Sequence, residues 1–143
     1  MQRTLLDQSP PLKWGPVPDG TKSVAIIVDD PDAKGGTFVH WVVYAIPPDV
    51  SEFPKGLPST ELLPSGVKQG INDANQIGYS GPCPPSGSHR YFFKVYALDT
   101  KLGLEPGATK KELLAAMDGH VLAEGQLMGT YQRSQMRLGV GGK

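Results

Sequence analysis

The stretch that decides the fold is Val24-Ala25-Ile26-Ile27-Val28-Asp29-Asp30, an apolar and mostly β-branched run that ends in two carboxylates. A continuous apolar run of this length is typical of a strand that is buried on both faces of its sheet. Two later stretches, Phe38–Ile46 and Tyr91–Leu98, are rich in the β-branched and aromatic residues that favour strands. The sequence therefore predicts three core strands, of which the first is fully buried.

The segments around these strands predict the rest of the architecture. Ser9–Trp14 is interpreted as an extended edge segment because of its prolines, and Pro54–Ser88 contains only loop-forming sequences. Thr109–Glu112 has the pattern of a capping box before a short helix, which Gly119 is expected to end. Glycines at positions 119, 125 and 129 favour a closing strand over residues 120–131. Strands joined by long loops, with one short helix near the end, predict a mainly-β sandwich.

The composition excludes several classes of protein. A chain of 143 residues fits one domain, residues 1–143, because folded units cluster near about 100–150 residues. Fourteen Lys+Arg balance fourteen Asp+Glu, so no basic field exists to bind nucleic acid non-specifically. The single cysteine, Cys83, excludes an internal disulfide and a multi-thiolate metal site. No apolar run has the length of a signal-peptide core or a transmembrane segment, so we expect a cytoplasmic protein.

Two of the three histidines stand where strands begin. Period-two alternation in the second strand puts four side chains on one face: Phe38, His40, Val42 and Tyr44. In the third strand the same period puts His89 on the face of Tyr91, about 7 Å apart along the strand. An imidazole and a phenol then point the same way. A histidine near a sheet edge is also often a satisfied, half-buried side chain, and both interpretations stay open.

An acidic residue and a stiff loop complete the candidate groups. Pro31 keeps Asp30 out of helical backbone conformations, which fixes its carboxylate at a strand end. Binding sites collect at strand ends, although Asp before Pro is also a common turn pair. The proline-rich stretch Gly81–Gly87 leads into His89. It is either a rigid wall of a binding site, whose backbone amides can bind a ligand, or only a stiff connector. Cys83 has no base implied by spacing, so nucleophilic catalysis by it is not expected.

Five blocks occur in a fixed order along the chain: Val28-Asp29-Asp30-Pro31-Asp32-Ala33, Phe38-Val39-His40-Trp41-Val42-Val43, Gly70-Ile71-Asn72-Asp73, Gly78-Tyr79-Ser80-Gly81-Pro82-Cys83-Pro84-Pro85 and His89-Arg90-Tyr91-Phe92-Phe93-Lys94-Val95-Tyr96-Ala97-Leu98-Asp99. Together they resemble the phosphatidylethanolamine-binding protein family, which includes Raf-kinase inhibitor protein, and most of all its bacterial and archaeal branch. The resemblance runs from Ser9 to about Arg133. The joint order of the blocks makes it specific.

The resemblance implies a sandwich of antiparallel β-sheets, with one or two short helices near the C-terminus and a small anion pocket at one end. Six residues fall on the family's pocket positions: Asp30, His40, Gly81, Pro82, His89 and Tyr91. The implied function is non-enzymatic binding of a phosphate, a phospholipid head group or a phosphorylated side chain, without a cofactor. The resemblance also implies inhibition of a kinase or protease through protein contact. Many relatives carry an additional N-terminal strand, so we expect a homodimer that covers an open sheet edge.

Two other functions stay open. Mixed His and Asp ligation suits zinc or iron, and four residues would then serve a metal-dependent hydrolase: Asp30, Asp32, His40 and His89. Alternatively, the pocket is unused and the protein acts as an inhibitor through its surface alone. For the anion-binding function, we expect affinity to fall as pH rises through about 6.5, because the cationic imidazole is then lost.

Overall fold

The structure is a computed structural model that describes residues 9–31, 36–81, 91–129, 134–136 and 139–140. These ranges contain nine strands: β1 (Leu12–Trp14), β2 (Ser23–Asp30), β3 (Phe38–Ile46), β4 (Glu52–Phe53), β5 (Lys68–Gln69), β6 (Tyr91–Leu98), β7 (Val121–Gly129), β8 (Ser134–Met136) and β9 (Gly139–Val140). They also contain one α-helix, α1 (Lys110–Met117), and a short 3-10 turn at Pro64–Gly66. All three predicted core strands are present, as β2, β3 and β6.

The strands form two sheets. The small sheet has the order β4-β1-β8, and the large sheet has the order β5-β3-β2-β6-β7-β9. Every pairing among the described strands is antiparallel except that of β1 with β8. The predicted mainly-β, antiparallel sandwich is therefore confirmed. The predicted closing strand is confirmed as β7, which pairs with β6 along its length.

Two apolar layers lie on opposite faces of the large sheet. The side chains of β2 alternate between them, with Val24, Ile26 and Val28 on one face and Ala25 and Ile27 on the other. Trp14 and Phe53 of the small sheet pack in the first layer, and Leu113 and Met117 of α1 pack in the second. Because both faces are covered, β2 has no solvent side, and this explains its unbroken apolar run.

The helix begins and ends where the sequence predicts. The Thr109 hydroxyl accepts a hydrogen bond from the Glu112 backbone N–H at 3.1 Å, and the Glu112 carboxylate accepts one from the Thr109 backbone N–H at 2.9 Å. These two bonds form the capping box and satisfy two free N–H groups of the first turn. Gly119 adopts a left-handed conformation, with φ of 82°, just beyond the helix. The cap fixes the position of Lys110, the first residue of the helix.

Two predictions about the peripheral segments are wrong. The segment Ser9–Trp14 was predicted as an edge, but β1 lies in the middle of the small sheet between β4 and β8. Its prolines precede the paired residues Leu12–Trp14, so every paired residue keeps its backbone N–H. Within Pro54–Ser88, which was predicted as loop, the structure contains the 3-10 turn and β5. A two-residue strand is too short to leave a periodic signal.

The pairing of β2 with β3 contains a β-bulge at His40. Val28 lies opposite Trp41 and Asp29 lies opposite Val39, so His40 is the extra residue on β3. A bulge of this kind bends the strand locally and re-aims a side chain. His40 therefore departs from the alternation of the strand that contains it.

The bulge makes the predicted common face of β3 wrong. That face was expected to carry Phe38, His40, Val42 and Tyr44. Val42 and Tyr44 lie in the layer on the helix side, whereas the His40 ring contacts Tyr79 and Tyr91 in the layer on the small-sheet side. The period-two rule fails because it assumes an unbroken ladder.

Candidate functional site

Two buried carboxylates at the end of β2 point to opposite faces of the large sheet. Asp29 is 2% exposed and Asp30 is 3% exposed. The Asp29 carboxylate accepts hydrogen bonds from the ammonium groups of Lys110, at 2.9 Å, and Lys94, at 3.4 Å. Asp30 continues the alternation of Val28 and acts electrostatically on the His40 imidazole. Asp29 therefore ties α1 to the sheet, and Asp30 belongs to a different cluster.

The His40 imidazole is buried, and its two nitrogens have different surroundings. The residue is 4% exposed, and Nδ1 lies 2.5 Å from the Ser80 carbonyl oxygen. Nε2 has no hydrogen-bond partner among the residues that the structure describes. A buried polar atom without a partner costs about 1–3 kcal/mol. Such an atom in a strand-end cluster is a candidate contact for a ligand.

Aromatic rings surround this imidazole. Ring centroids lie 4.9 Å away for Phe38, 5.4 Å away for Tyr91 and 6.4 Å away for Tyr79. The Tyr91 ring meets the imidazole edge to face, while the Tyr79 ring is stacked with it. We call the cluster of Asp30, His40, Tyr79, Ser80 and Tyr91 the His40 site. It combines a carboxylate, an imidazole and two phenols on one face of the large sheet.

Burial dominates the ionisation of the two titrating rings. It lowers the pKa of His40 from its ordinary value of 6.5, although the Ser80 carbonyl and the carboxylates of Asp30, Asp29 and Asp73 act in the opposite direction. Burial also raises the pKa of Tyr91 above 10, and the Asp30 charge adds to that shift. The imidazole is therefore neutral at pH 7 and the phenol keeps its proton.

A tight turn fixes the segment that carries Ser80. The Asn72 side-chain oxygen accepts hydrogen bonds from the backbone N–H groups of Ala74, at 2.9 Å, and Gln76, at 3.1 Å. Its amide group donates to the Gly78 carbonyl at 2.8 Å. Three bonds from one buried side chain close residues 72–78 into a defined shape, as Asx residues do in turns.

The same segment is bonded directly to β3. The Asp73 carboxylate accepts from the Val39 backbone N–H at 2.8 Å, and the Asp73 N–H donates to the Val39 carbonyl at 2.9 Å. The Ser80 N–H donates to the His40 carbonyl at 2.9 Å. The backbone and the ring of His40 are thus both held by Ser80. This arrangement fixes the direction of Nε2.

The structure brings together three of the six predicted site residues: Asp30, His40 and Tyr91. Gly81 is buried and directly follows Ser80. Pro82 and His89 lie outside the described residues, as do Asp32 and Cys83.

Sequence reasoning missed three residues that contact the His40 ring. They are Phe38, Tyr79 and Ser80. Phe38 was predicted on the His40 face but only as packing. The pair Tyr79-Ser80 lies in a long stretch without periodicity, and its one signal was its place in a block that resembles the family.

Neither a metal centre nor a membrane span is found in the described part of the chain. Those residues contain no group of three or more His, Cys, Asp or Glu side chains that could hold a metal ion. The hydrolase interpretation also needs Asp32 and His89, which lie outside that part. No described helix is long and apolar enough to cross a membrane.

Comparisons with known proteins identify the family and agree with the fold. A family model for phosphatidylethanolamine-binding protein matches residues 4–132. A UPF0098 protein of Methanothermobacter thermautotrophicus is 55% identical over 125 residues, which cover 87% of this chain and 83% of that protein. A solved phosphatidylethanolamine-binding protein homologue of Chlamydia trachomatis has a TM-score of 0.77 at 45% identity, covering 88% of this chain and 82% of its own. Escherichia coli YbcL, described as a member of the mammalian family, has a TM-score of 0.76 at 36% identity, with 88% and 80% covered.

Proposed function

This chain belongs to the phosphatidylethanolamine-binding protein family, and we propose that it binds a small phosphorylated ligand at the His40 site without making or breaking covalent bonds. The observation that carries the proposal is the His40 Nε2 atom, buried and without a hydrogen-bond partner among the described residues. A buried polar atom without a partner costs the folded protein about 1–3 kcal/mol, and a ligand atom that bonds to Nε2 removes this cost.

The neighbouring groups suit a small polar ligand. The Tyr91 hydroxyl can donate or accept a hydrogen bond, and burial keeps its proton in place at neutral pH. Aromatic rings on several sides exclude water, which strengthens each polar bond to the ligand. Gly81 directly follows Ser80, and the resemblance to the family implies Pro82 and His89 as further ligand-binding residues. We propose only that the ligand contains a phosphoryl group, which a lipid head group and a phosphorylated side chain share.

Free phosphate is expected to bind weakly. About three charge-assisted hydrogen bonds of roughly 1.5–3 kcal/mol each are offset by the entropic cost of association, which leaves a Kd around millimolar at best. The rest of a natural ligand would supply the remaining affinity. Inhibition of a kinase or protease and formation of a homodimer stay predictions, which inhibition assays and sedimentation equilibrium can test.

A titration with inorganic phosphate, followed by amide and histidine-ring NMR signals, tests the proposal. We expect saturable shifts at His40, Tyr91 and Gly81. His40→Gln should weaken binding at least about tenfold, equivalent to about 1.4 kcal/mol. Tyr91→Phe removes one hydroxyl and should weaken binding by a smaller factor.

His120→Gln is the matched control for the loss of a histidine. His120 is exposed and paired with Asp99 at 2.8 Å, so this variant should bind phosphate as the unmodified protein does. The proposal is overturned if phosphate causes no saturable shifts. It is also overturned if His40→Gln and Tyr91→Phe both bind phosphate as tightly as the unmodified protein does.

A further inference from the structure

The hydrogen bond at Nδ1 determines which nitrogen of His40 carries the proton. A carbonyl oxygen only accepts hydrogen bonds, so the 2.5 Å contact with Ser80 requires a proton on Nδ1. A neutral imidazole has one N–H, and Nε2 is then a bare lone pair that accepts. Nε2 becomes a donor only when the whole ring is a cation.

The surroundings of the ring oppose that cation. The ring is buried and faces the aromatic side chains of Phe38, Tyr79 and Tyr91. Burial lowers the pKa of His40, and the attraction of nearby carboxylates does not reverse this direction. Near neutral pH, His40 therefore presents an acceptor.

Among the residues that the structure describes, the charged and titratable groups around the ring come from several elements. They are Asp29 and Asp30 from β2, Asp73 and Tyr79 from the segment after β5, and Tyr91 from β6. Asp29 is neutralised by Lys94 and Lys110 on the other face of the sheet. The Asp30 carboxylate acts electrostatically on both His40 and Tyr91.

A fully ionised phosphate fits a bare Nε2 lone pair poorly, because it offers only acceptors. Resting on the proposed function above, we infer that the His40 site takes the protonated monoanion of a phosphate monoester, whose P–O–H group donates a hydrogen bond to His40 Nε2. Phosphate monoesters lose their second proton near pH 6, so the monoanion is available close to neutral pH. Above that pH, the dianion takes up one proton from solvent when it binds.

Two phosphate esters that both form a monoanion test this inference. Methyl phosphate at pH 6 includes a monoanion that carries P–O–H, whereas dimethyl phosphate is a monoanion without a donor. We expect methyl phosphate to bind at least about tenfold more tightly than dimethyl phosphate at pH 6, the factor that one good hydrogen bond supplies. The affinity for methyl phosphate should fall by up to about tenfold per pH unit as the pH rises above about 6.

The histidine-ring ¹⁵N shifts locate the proton in the complex, which affinity alone does not. We expect Nδ1 to be protonated and Nε2 to be unprotonated, both in the free protein and with methyl phosphate bound at pH 7. His120→Gln identifies the signals of the exposed histidine and should leave the binding profile unchanged.

The outcomes separate the inference from the proposed function. A bound ring with protons on both nitrogens, or dimethyl phosphate binding as tightly as methyl phosphate, overturns the inference and leaves phosphate binding standing. If neither ester binds between pH 5.5 and pH 8, the proposed function itself fails.

Discussion

Asp29 and Asp30 are adjacent, chemically identical and almost equally buried, yet the sheet gives them opposite environments. Asp29 lies on the helix side and is held by Lys94 and Lys110. Asp30 lies on the small-sheet side next to His40 and Tyr91. Period-two alternation alone separates them. The difference shows that the partners a strand meets on each face, and not the residue type, decide whether a buried carboxylate stabilises the fold or shapes a site.

The largest expected effect is on stability at Asp29. Asp29→Asn removes the charge that holds two ammonium groups, and hydrogen bonds to charged groups are worth about 1.5–3 kcal/mol. Lys94 and Lys110 are each about 30% exposed and can turn to water, so we expect a loss of about 2 kcal/mol in the free energy of unfolding. Urea denaturation measures it.

Asp30→Asn is the matched variant on the other face. It should change phosphate binding, which Asp29→Asn should leave nearly unchanged. Equal effects of the two variants on phosphate binding would remove the distinction between the two faces.

The second prediction concerns the pH dependence of stability. The pKa of His40 is lower in the folded protein than its ordinary 6.5, so the unfolded chain binds more protons between that lowered pKa and 6.5. Stability from the neutral ring is fully present above about pH 6.5 and is lost as pH falls through this window, by at most about 1.4 kcal/mol per pH unit. His40→Gln should flatten this part of the profile.

Urea denaturation at half-unit steps from pH 5 to pH 7.5 makes the comparison, with His120→Gln as the control for an exposed histidine. If stability falls with the same slope in His40→Gln as in the unmodified protein, the neutral buried ring is refuted.

The third prediction ranks the two lysines that hold Asp29. Lys110→Met and Lys94→Met keep the apolar stem and remove the ammonium group. Because the Lys110 contact is 2.9 Å and the Lys94 contact is 3.4 Å, we expect a loss of about 1 kcal/mol for the first and less for the second. Thermal unfolding of both variants measures the order, and the reverse order would show that Lys94 is the principal partner.

The smallest effect is electrostatic. Both carboxylates raise the pKa of His40, and Asp30 does so more strongly than Asp29. We therefore predict that Asp30→Asn and Asp29→Asn each lower the pKa of His40, with the larger decrease for Asp30→Asn. NMR titration of the His40 ring measures both shifts. A rise in either variant would contradict the assignment of faces.

The sequence predicts the strands and the helix of this fold well, because their signals are local. The apolar run of β2 shows burial on both faces, and Thr109 with Glu112 marks the start of α1. The direction in which the His40 side chain points was not predictable from periodicity. It depends on one extra residue in the β2–β3 ladder, which only the pairing partner reveals.

The partner of the His40 ring was equally hidden. A backbone carbonyl carries no sequence signature, so nothing in the residues pointed to Ser80 as the group that holds Nδ1. The expectation of a cationic imidazole followed from the residue type alone, and burial among aromatic rings opposes it. The sequence therefore predicted that Asp30, His40 and Tyr91 lie together, but it did not predict the protonation of His40.

A crystal structure of the protein grown with methyl phosphate near pH 6 would show directly how the His40 site binds its ligand. We expect an oxygen of the phosphoryl group about 2.7–3.2 Å from His40 Nε2, with Nδ1 still bonded to the Ser80 carbonyl. A phosphoryl group bound elsewhere, or a His40 ring turned so that Nε2 bonds to protein atoms instead, would contradict this expectation.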